Sequence, residues 1–180
     1  MHLLIVRHAI AVPHGTPEVP EDERPLTPRG EKRFRAAAQG LARICNRPDV
    51  LLSSPLVRAR QTADIAAEAW GDVEVREENA LAGGSFEQIA AVVNKHADKK
   101  LVALFGHEPD VSTVVARLLG TSASERLTFK ICMLSSLLPR SDLKRPRWTA
   151  FQQHRCYSGS PMRFNRSTNL GSPRRTLKSG

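Results

Sequence analysis

The sequence predicts an α/β fold, a three-layer sandwich with a mostly parallel central sheet. Two observations lead to this prediction: short apolar runs alternate with amphipathic stretches of helical length, and most runs end in a polar cluster. Strands that are buried on both faces of a parallel sheet have continuous apolar runs of this kind. With 180 residues, 41% of them hydrophobic, the chain is long enough to bury one globular core.

The apolar runs place strands at residues 3–6, 50–52, 73–75 and 101–105, with a further candidate at 131–134. Helices are expected at about 28–45, 55–69, 85–93 and 110–119. Thr27 and Ser85 have the side chains of N-caps, and Pro28 suits a first helical position. The helical period predicts that the first helix buries Phe34, Ala37, Leu41 and Ile44.

The net charge of +9 lies in the C-terminal part of the chain. Residues 1–130 hold 17 basic and 17 acidic side chains, whereas residues 131–180 hold ten basic ones and one acidic one. With few aromatic residues among these charges, the pattern favours a solvated tail over a nucleic-acid interface, although nonspecific binding to phosphate backbones stays open. We therefore predict a domain at 1–134 and a basic, disordered or atypical tail at 135–180 that is dispensable for the chemistry.

The first apolar run stops at Arg7, which is too early for an export signal, and no run approaches the length of a membrane span. Cys45, Cys132 and Cys156 are scattered, without the spacing of a disulfide scaffold or a structural zinc site. The expected location is the cytoplasm, without membrane contact.

Polar clusters follow three of the predicted strands. Arg7 and His8 follow the first strand, residues 54–58 the second, and His107 the fourth. Because ligands bind beyond the carboxyl ends of parallel strands, we expect these clusters to converge on one pocket. A neutral imidazole is a competent nucleophile near pH 7, and guanidinium groups suit a dianionic phosphate. The pattern favours phosphoryl transfer to His8, with Arg7, Arg58 and His107 around the phosphoryl group.

The neighbouring residues have simpler expected roles. The helix that starts after Pro55 is expected to offer unpaired N–H groups to the pocket. Arg60 is expected to be a solvated charge, and Gln61 and Thr62 to pack or hydrogen-bond locally. No metal and no cofactor are expected, because arginines can supply the cations and no close set of His, Asp and Glu ligands stands out.

In their order along the chain, these segments resemble the histidine phosphatase superfamily, also called the phosphoglycerate-mutase-like family. Leu-Leu-Ile-Val-Arg-His-Ala at 3–9 is similar to its strand and Arg-His-Gly/Ala motif, and Leu-Thr-Pro-Arg-Gly at 26–30 to its Leu-Thr-x-x-Gly helix start. Residues 54–62 resemble its Ser-Pro-x-x-Arg-Ala-x-Gln-Thr segment, and Gly-His-Glu-Pro-Asp-Val-Ser at 106–112 resembles the SixA branch. The resemblance covers about residues 1–130. It implies a phosphoglycerate-mutase-like fold, phosphorylation of His8, phosphate binding by Arg58, and His107 as the second pocket histidine.

The resemblance further implies a SixA-like phosphohistidine phosphatase, which would act on a phosphohistidine-containing phosphotransfer protein. A small-molecule phosphomonoesterase of the same superfamily and an inactive phosphate-binding relative stay open as alternatives. Larger members of the family use a carboxylate as proton donor after the third strand. Glu77 and Glu78 lie near that position but in no matching motif, so no acid is assigned. The short stretch 76–84 predicts an open site, which favours a phosphohistidine on a protein over small phosphate esters.

The resemblance ends near Lys130. SixA-like chains finish with a further strand and a glycine-containing turn, and the residues after Lys130 do not keep that pattern.

Overall fold

The computed structural model of the chain describes residues 1–120 and the strand backbones of residues 133–139 and 148–155. In chain order, the elements are β1 (His2–Arg7), α1 (Pro28–Ile44), β2 (Val50–Ser53), α2 (Val57–Ala69), β3 (Val75–Glu77), a 3-10 turn (Asn79–Leu81), α3 (Phe86–Asn94), β4 (Leu101–Gly106), α4 (Asp110–Leu118), β5 (Met133–Pro139) and β6 (Trp148–Arg155).

The strands form one sheet in the order β3-β2-β4-β1-β5-β6. β1, β2, β3 and β4 run parallel, whereas β5 pairs antiparallel with β1 and β6 antiparallel with β5. The predicted α/β fold with a mostly parallel sheet is confirmed.

Alternate residues of β1 face two separate cores. Leu4 and Val6 pack on the side of α1 and α2, together with Phe34. Leu3 and Ile5 pack on the opposite side, with α3 and α4. These four side chains are each about 1% exposed. Helices therefore cover both faces of the parallel strands, which gives the three predicted layers and explains the unbroken apolar runs.

Two predicted N-caps are confirmed. The Thr27 hydroxyl accepts the Gly30 N–H at 3.0 Å, and Ser85 forms a reciprocal capping box with Gln88. Gly30 also lies tight against the segment that follows His8, because a Cβ there would come within 2.0 Å of the Ile10 carbonyl oxygen. A residue without a side chain is required where α1 meets this segment.

Two local expectations are wrong. Ile44 is 42% exposed, because it is the last residue of α1 and the buried side chains of this helix end at Leu41. Ala37 is partly buried against the core, next to the fully buried Ala38. β3 starts at Val75, two residues later than expected, because Val73 packs into the core before the chain joins the sheet.

β5 crosses the predicted domain boundary at residue 134. The backbone register pairs Leu3 with Leu137 and Ile5 with Ser135, so the sheet continues into the segment expected to be a tail. Its composition hides this pairing, since Ser and Pro interrupt the apolar pattern. The division of the chain at 134 stays a prediction, and residues 140–147 and 156–180 lie outside the described residues. In the described part of the chain, no helix is both long and apolar enough to cross a membrane.

Candidate active site

The segments that follow β1, β2 and β4 are joined at the carboxyl edge of the sheet. The His8 N–H donates to the Gly106 carbonyl oxygen at 3.0 Å, and the Ser54 N–H donates to that of Phe105 at 2.9 Å. A pocket of about 390 Å³ opens at this edge. Its lining includes all four residues singled out in the sequence, namely Arg7, His8, Arg58 and His107. The expected convergence of the three clusters is therefore observed.

His8 is held with one ring nitrogen bonded and the other available. Its Nδ1 lies 2.7 Å from the Ala9 carbonyl oxygen, which can only accept, so Nδ1 carries the proton and Nε2 keeps a lone pair. Burial lowers the pKa of His8 to about 4 against the opposing effect of the Ala9 hydrogen bond, and the charges of Arg58, Arg7 and Arg24 lower it further. At neutral pH the imidazole is uncharged and can act as a nucleophile.

His107 stands next to His8, with 5.1 Å between the ring centroids and 51° between the ring planes. Its Nε2 lies 2.8 Å from the Ser54 hydroxyl oxygen, while its buried Nδ1 has no partner in the described part of the chain. Burial, followed by the neighbouring His8 and the guanidinium of Arg58, lowers the pKa of His107 to about 3. Two neutral imidazoles therefore share a pocket whose positive charge comes from arginines.

The side chain of Arg58 is 7% exposed and reaches the loop 11–25. Its Nη1 donates to the Glu21 main-chain oxygen at 2.7 Å, and its Nη2 lies 3.3 Å from the Glu21 carboxylate. Its buried Nε has no partner among the described residues. Burial lowers the pKa of this guanidinium below its ordinary value, although an arginine stays charged at neutral pH. An anion that enters the pocket can complete the hydrogen bonding of Arg58.

Three charged pocket residues were missed in the sequence, namely Glu21, Arg24 and Glu108. Glu21 and Arg24 belong to the loop 11–25, whose Pro-rich composition carries no periodic signal that could place a side chain. Glu108 follows His107 directly within the segment 106–112, but the sequence analysis assigned it no role. The Ser112 hydroxyl lies 2.7 Å and 2.9 Å from its two carboxylate oxygens.

Thr62 makes the expected local hydrogen bond and also bonds a distant segment, and Gln61 bonds a distant residue. The Thr62 hydroxyl donates to the Arg58 carbonyl oxygen at 2.6 Å and accepts the Ala9 N–H at 3.1 Å, although Ala9 is 53 residues away. The Gln61 side-chain oxygen accepts the Leu26 N–H at 2.7 Å. α2 therefore anchors the backbone beside His8.

The expectation for the start of α2 needs correction. The N–H groups of Leu56 and Val57 are already bonded, to Ser54 and Asp22, so these two groups of the α2 start are not open to a phosphate. Arg60 pairs with Asp64 and Glu77 on the surface and does not line the pocket. In the described residues, no group of three or more His, Cys, Asp or Glu side chains could hold a metal ion.

Solved structures with a similar fold include several phosphatases. A candidate phosphohistidine phosphatase SixA from Agrobacterium tumefaciens superposes with a TM-score of 0.70 at 22% identity, over 83% of this chain and 96% of that one. The protein histidine phosphatase SixA complexed with tungstate superposes with a TM-score of 0.70 at 21% identity, over 84% of this chain and 96% of that one. A mycobacterial glucosyl-3-phosphoglycerate phosphatase superposes with a TM-score of 0.66 at 20% identity, over 82% of this chain and 95% of that one. These similarities support the phosphoglycerate-mutase-like fold and leave the substrate open.

Sequence comparison covers a smaller share of the chain. An uncharacterized protein of Picosynechococcus sp. is 40% identical over an alignment of 116 positions that covers 62% of this chain and 68% of that protein. Residues 3–90 match the family model of the histidine phosphatase superfamily, branch 1, and this range contains His8 and Arg58. With the motif order, the pocket and the fold in agreement, this chain belongs to the histidine phosphatase superfamily and is a phosphatase.

Proposed function

We propose that this chain is a SixA-like phosphohistidine phosphatase that takes the phosphoryl group of a phosphotransfer protein onto Nε2 of His8. The observation that carries the proposal is the bond between Nδ1 of His8 and the Ala9 carbonyl oxygen, because it leaves the Nε2 lone pair free for attack. The low pKa of this imidazole, about 4, keeps the lone pair unprotonated at neutral pH.

The reaction has two displacements on phosphorus. In the first, Nε2 of His8 forms a P–N bond while the P–N bond to the substrate imidazole breaks, and the departing imidazole keeps the electron pair and takes a proton. In the second, water attacks phosphorus, the bond to Nε2 breaks, and inorganic phosphate leaves with a water proton released to solvent. Arg7, Arg58 and His107 line the pocket and are the groups proposed to bind the phosphoryl oxygens.

The carboxylates near the site favour a leaving group that needs no dedicated acid. Neither Glu77 nor Glu78 lines the pocket. Glu21 does, but hydrogen bonds from Arg24 and His14 lower its pKa to about 2, so it has no proton to give at neutral pH. Glu108 accepts from the Ser112 hydroxyl. An imidazole leaving group can take its proton from solvent, whereas an alkoxide leaving group depends on a positioned acid.

A small-molecule phosphomonoesterase is the second candidate. The pocket volume of about 390 Å³ falls in the range of sites that enclose small ligands, which is the observation in its favour. Glu108 would then have to supply the missing proton, since it lines the pocket beside His107.

Two measurements test the proposal. A phosphoenzyme formed with a phosphohistidine protein and trapped by rapid quenching should be acid-labile and alkali-stable, and it should disappear in His8→Ala. His2→Ala is the matched control, because His2 is exposed at the far end of the same strand. Undiminished turnover in His8→Ala would show that the nucleophile is another group.

The second measurement compares kcat/KM for the phosphohistidine protein with that for phosphoglycerate and sugar phosphates. We expect a preference of at least roughly tenfold for the protein substrate, equivalent to about 1.4 kcal/mol of transition-state binding. Equal or faster hydrolysis of a small ester would assign the chain to the second candidate function.

A further inference from the structure

The carboxylate of Glu21 lies on two arginines that line the proposed phosphoryl site. Arg24 donates to it from both Nε, at 2.8 Å, and Nη2. Nη2 of Arg58 lies 3.3 Å away, and His14 contributes a further contact through Nδ1. Glu21 itself lines the pocket that contains His8. A carboxylate bonded in this way occupies part of the cationic surface that an oxyanion would use.

The backbone of the same loop is fixed independently of this carboxylate. Nη1 of Arg58 donates to the Glu21 main-chain oxygen at 2.7 Å, and the Val57 N–H donates to that of Asp22 at 3.1 Å. The Glu21 side chain is 47% exposed. Its carboxylate can therefore turn toward solvent by side-chain rotation while the loop stays attached to α2.

The charges decide which ligand can replace it. A carboxylate carries one negative charge and two oxygens, whereas a phosphoryl group near neutral pH carries up to two charges and three oxygens. A monoanion that displaces Glu21 exchanges one charge for another, but a dianion gains charge interaction with Arg24 and Arg58. The exchange therefore favours doubly charged tetrahedral anions.

The displaced carboxylate also interacts electrostatically with the part of the substrate that carries the phosphoryl group. A substrate with its own carboxylate close to phosphorus, as in phosphoglycerate, brings like charge toward Glu21. An imidazole that carries the phosphoryl group is neutral or cationic and meets no such repulsion.

We propose that Glu21 is a specificity-determining residue. Its carboxylate binds Arg24 and Arg58 where the phosphoryl group of a substrate would bind, so the phosphoryl group must displace it. The selection of a dianion follows from the contacts alone, while the preference for an imidazole-borne phosphoryl group rests on the proposed function.

Calorimetric titration with tungstate, a dianionic tetrahedral probe, measures the displacement directly. Glu21→Gln should lower the Kd for tungstate about three- to tenfold, a size typical of partly exposed ion pairs. The matched control is Glu23→Gln, which removes the same charge from an exposed position of the same loop that does not line the pocket. The control should stay within about twofold of wild type. Unchanged or weaker tungstate binding in Glu21→Gln would overturn the proposal, because Glu21 would then be neutral or would help to orient the arginines.

The variant Glu21→Asp tests whether tungstate binding depends on the contact of this carboxylate with the arginines or only on its negative charge. It keeps the negative charge but shortens the side chain by one methylene, so it should bind tungstate with a Kd between those of wild type and Glu21→Gln. If Glu21→Asp matches wild type, a general charge effect accounts for the result and the proposal is wrong.

The substrate preference is tested by kinetics. Glu21→Gln should raise kcat/KM for phosphoglycerate at least about threefold more than for a phosphohistidine protein. An equal rise in kcat/KM for both substrates would show that Glu21 does not determine specificity. Absence of turnover in the wild-type protein would instead refute the proposed function, while the tungstate titrations would still report on Glu21.

Discussion

The Nε2 atom of His107 lies 2.8 Å from the hydroxyl oxygen of Ser54, which joins the residue after β4 to the first residue after β2. The Ser54 oxygen also accepts the Leu56 N–H at 3.3 Å, so the same hydroxyl contacts both the histidine ring and the start of α2. The orientation of this buried imidazole is thus fixed by a serine that lies 53 residues earlier in the chain.

Replacing Ser54 should affect both stability and turnover. Ser54→Ala leaves Nε2 of a buried imidazole without its partner, which costs about 1–3 kcal/mol of unfolding free energy. It also removes the contact that orients the ring, and kcat should fall about tenfold or more. Denaturant unfolding and steady-state kinetics check the two effects.

Ser53→Ala is the control for Ser54→Ala, because the equally buried Ser53 hydroxyl donates to the Ser54 carbonyl oxygen and not to a histidine. A similar loss of kcat in both variants would show that Ser54 acts only through local packing.

Replacing Thr62 should loosen the segment beside His8. Thr62→Val preserves the shape of the side chain but removes the oxygen that accepts the buried Ala9 N–H. We expect a loss of about 1–3 kcal/mol in unfolding free energy and a fall in kcat, since Nδ1 of His8 is fixed by the carbonyl of this same Ala9. Thr113→Val, on α4 and half-buried, serves as the comparison. If the two variants lose equal activity, the bond to Ala9 does not position His8.

The two pocket histidines should make the fold sensitive to mild acid. Their pKa values are lowered from 6.5 to about 4 for His8 and about 3 for His107, chiefly by burial. Between these values and 6.5 the unfolded chain binds more protons than the folded one, so stability falls as pH is lowered through this window. Each histidine contributes a slope of up to about 1.4 kcal/mol per pH unit.

Thermal melts at pH 7, 6 and 5 test this linkage. His107→Asn, which cannot be protonated in this range, should show a shallower loss of Tm than wild type. A parallel decline in the two proteins would mean that His107 does not titrate differently on folding.

Two truncations test where the folded unit ends. A stop after Leu134 removes the residues paired with Leu3, Leu4 and Ile5, and so uncovers an edge of the central strand β1. We expect it to lower Tm by at least about 4 °C. A stop after Arg155 keeps β5 and β6, and should change Tm and turnover little. Equal stability of the two truncated proteins would support the boundary predicted at residue 134.

The sequence by itself determined the elements and the reactive groups of this protein. The runs at 3–6, 50–52 and 101–105 are apolar without interruption because helices cover both faces of their strands. Since parallel strands end at one edge, the position of His8, Arg58 and His107 after those runs was enough to predict a shared pocket.

Only the tertiary structure decided which residues distant in sequence contact one another, and how burial changes the properties of individual side chains. Glu21 and Arg24 come from a loop without periodicity, and only the folding of that loop onto α2 brings them to Arg58. Thr62 meets Ala9 across 53 residues of sequence. The low pKa of His8 likewise has no signature in the chain, because desolvation is a property of the packed surroundings and not of the residue.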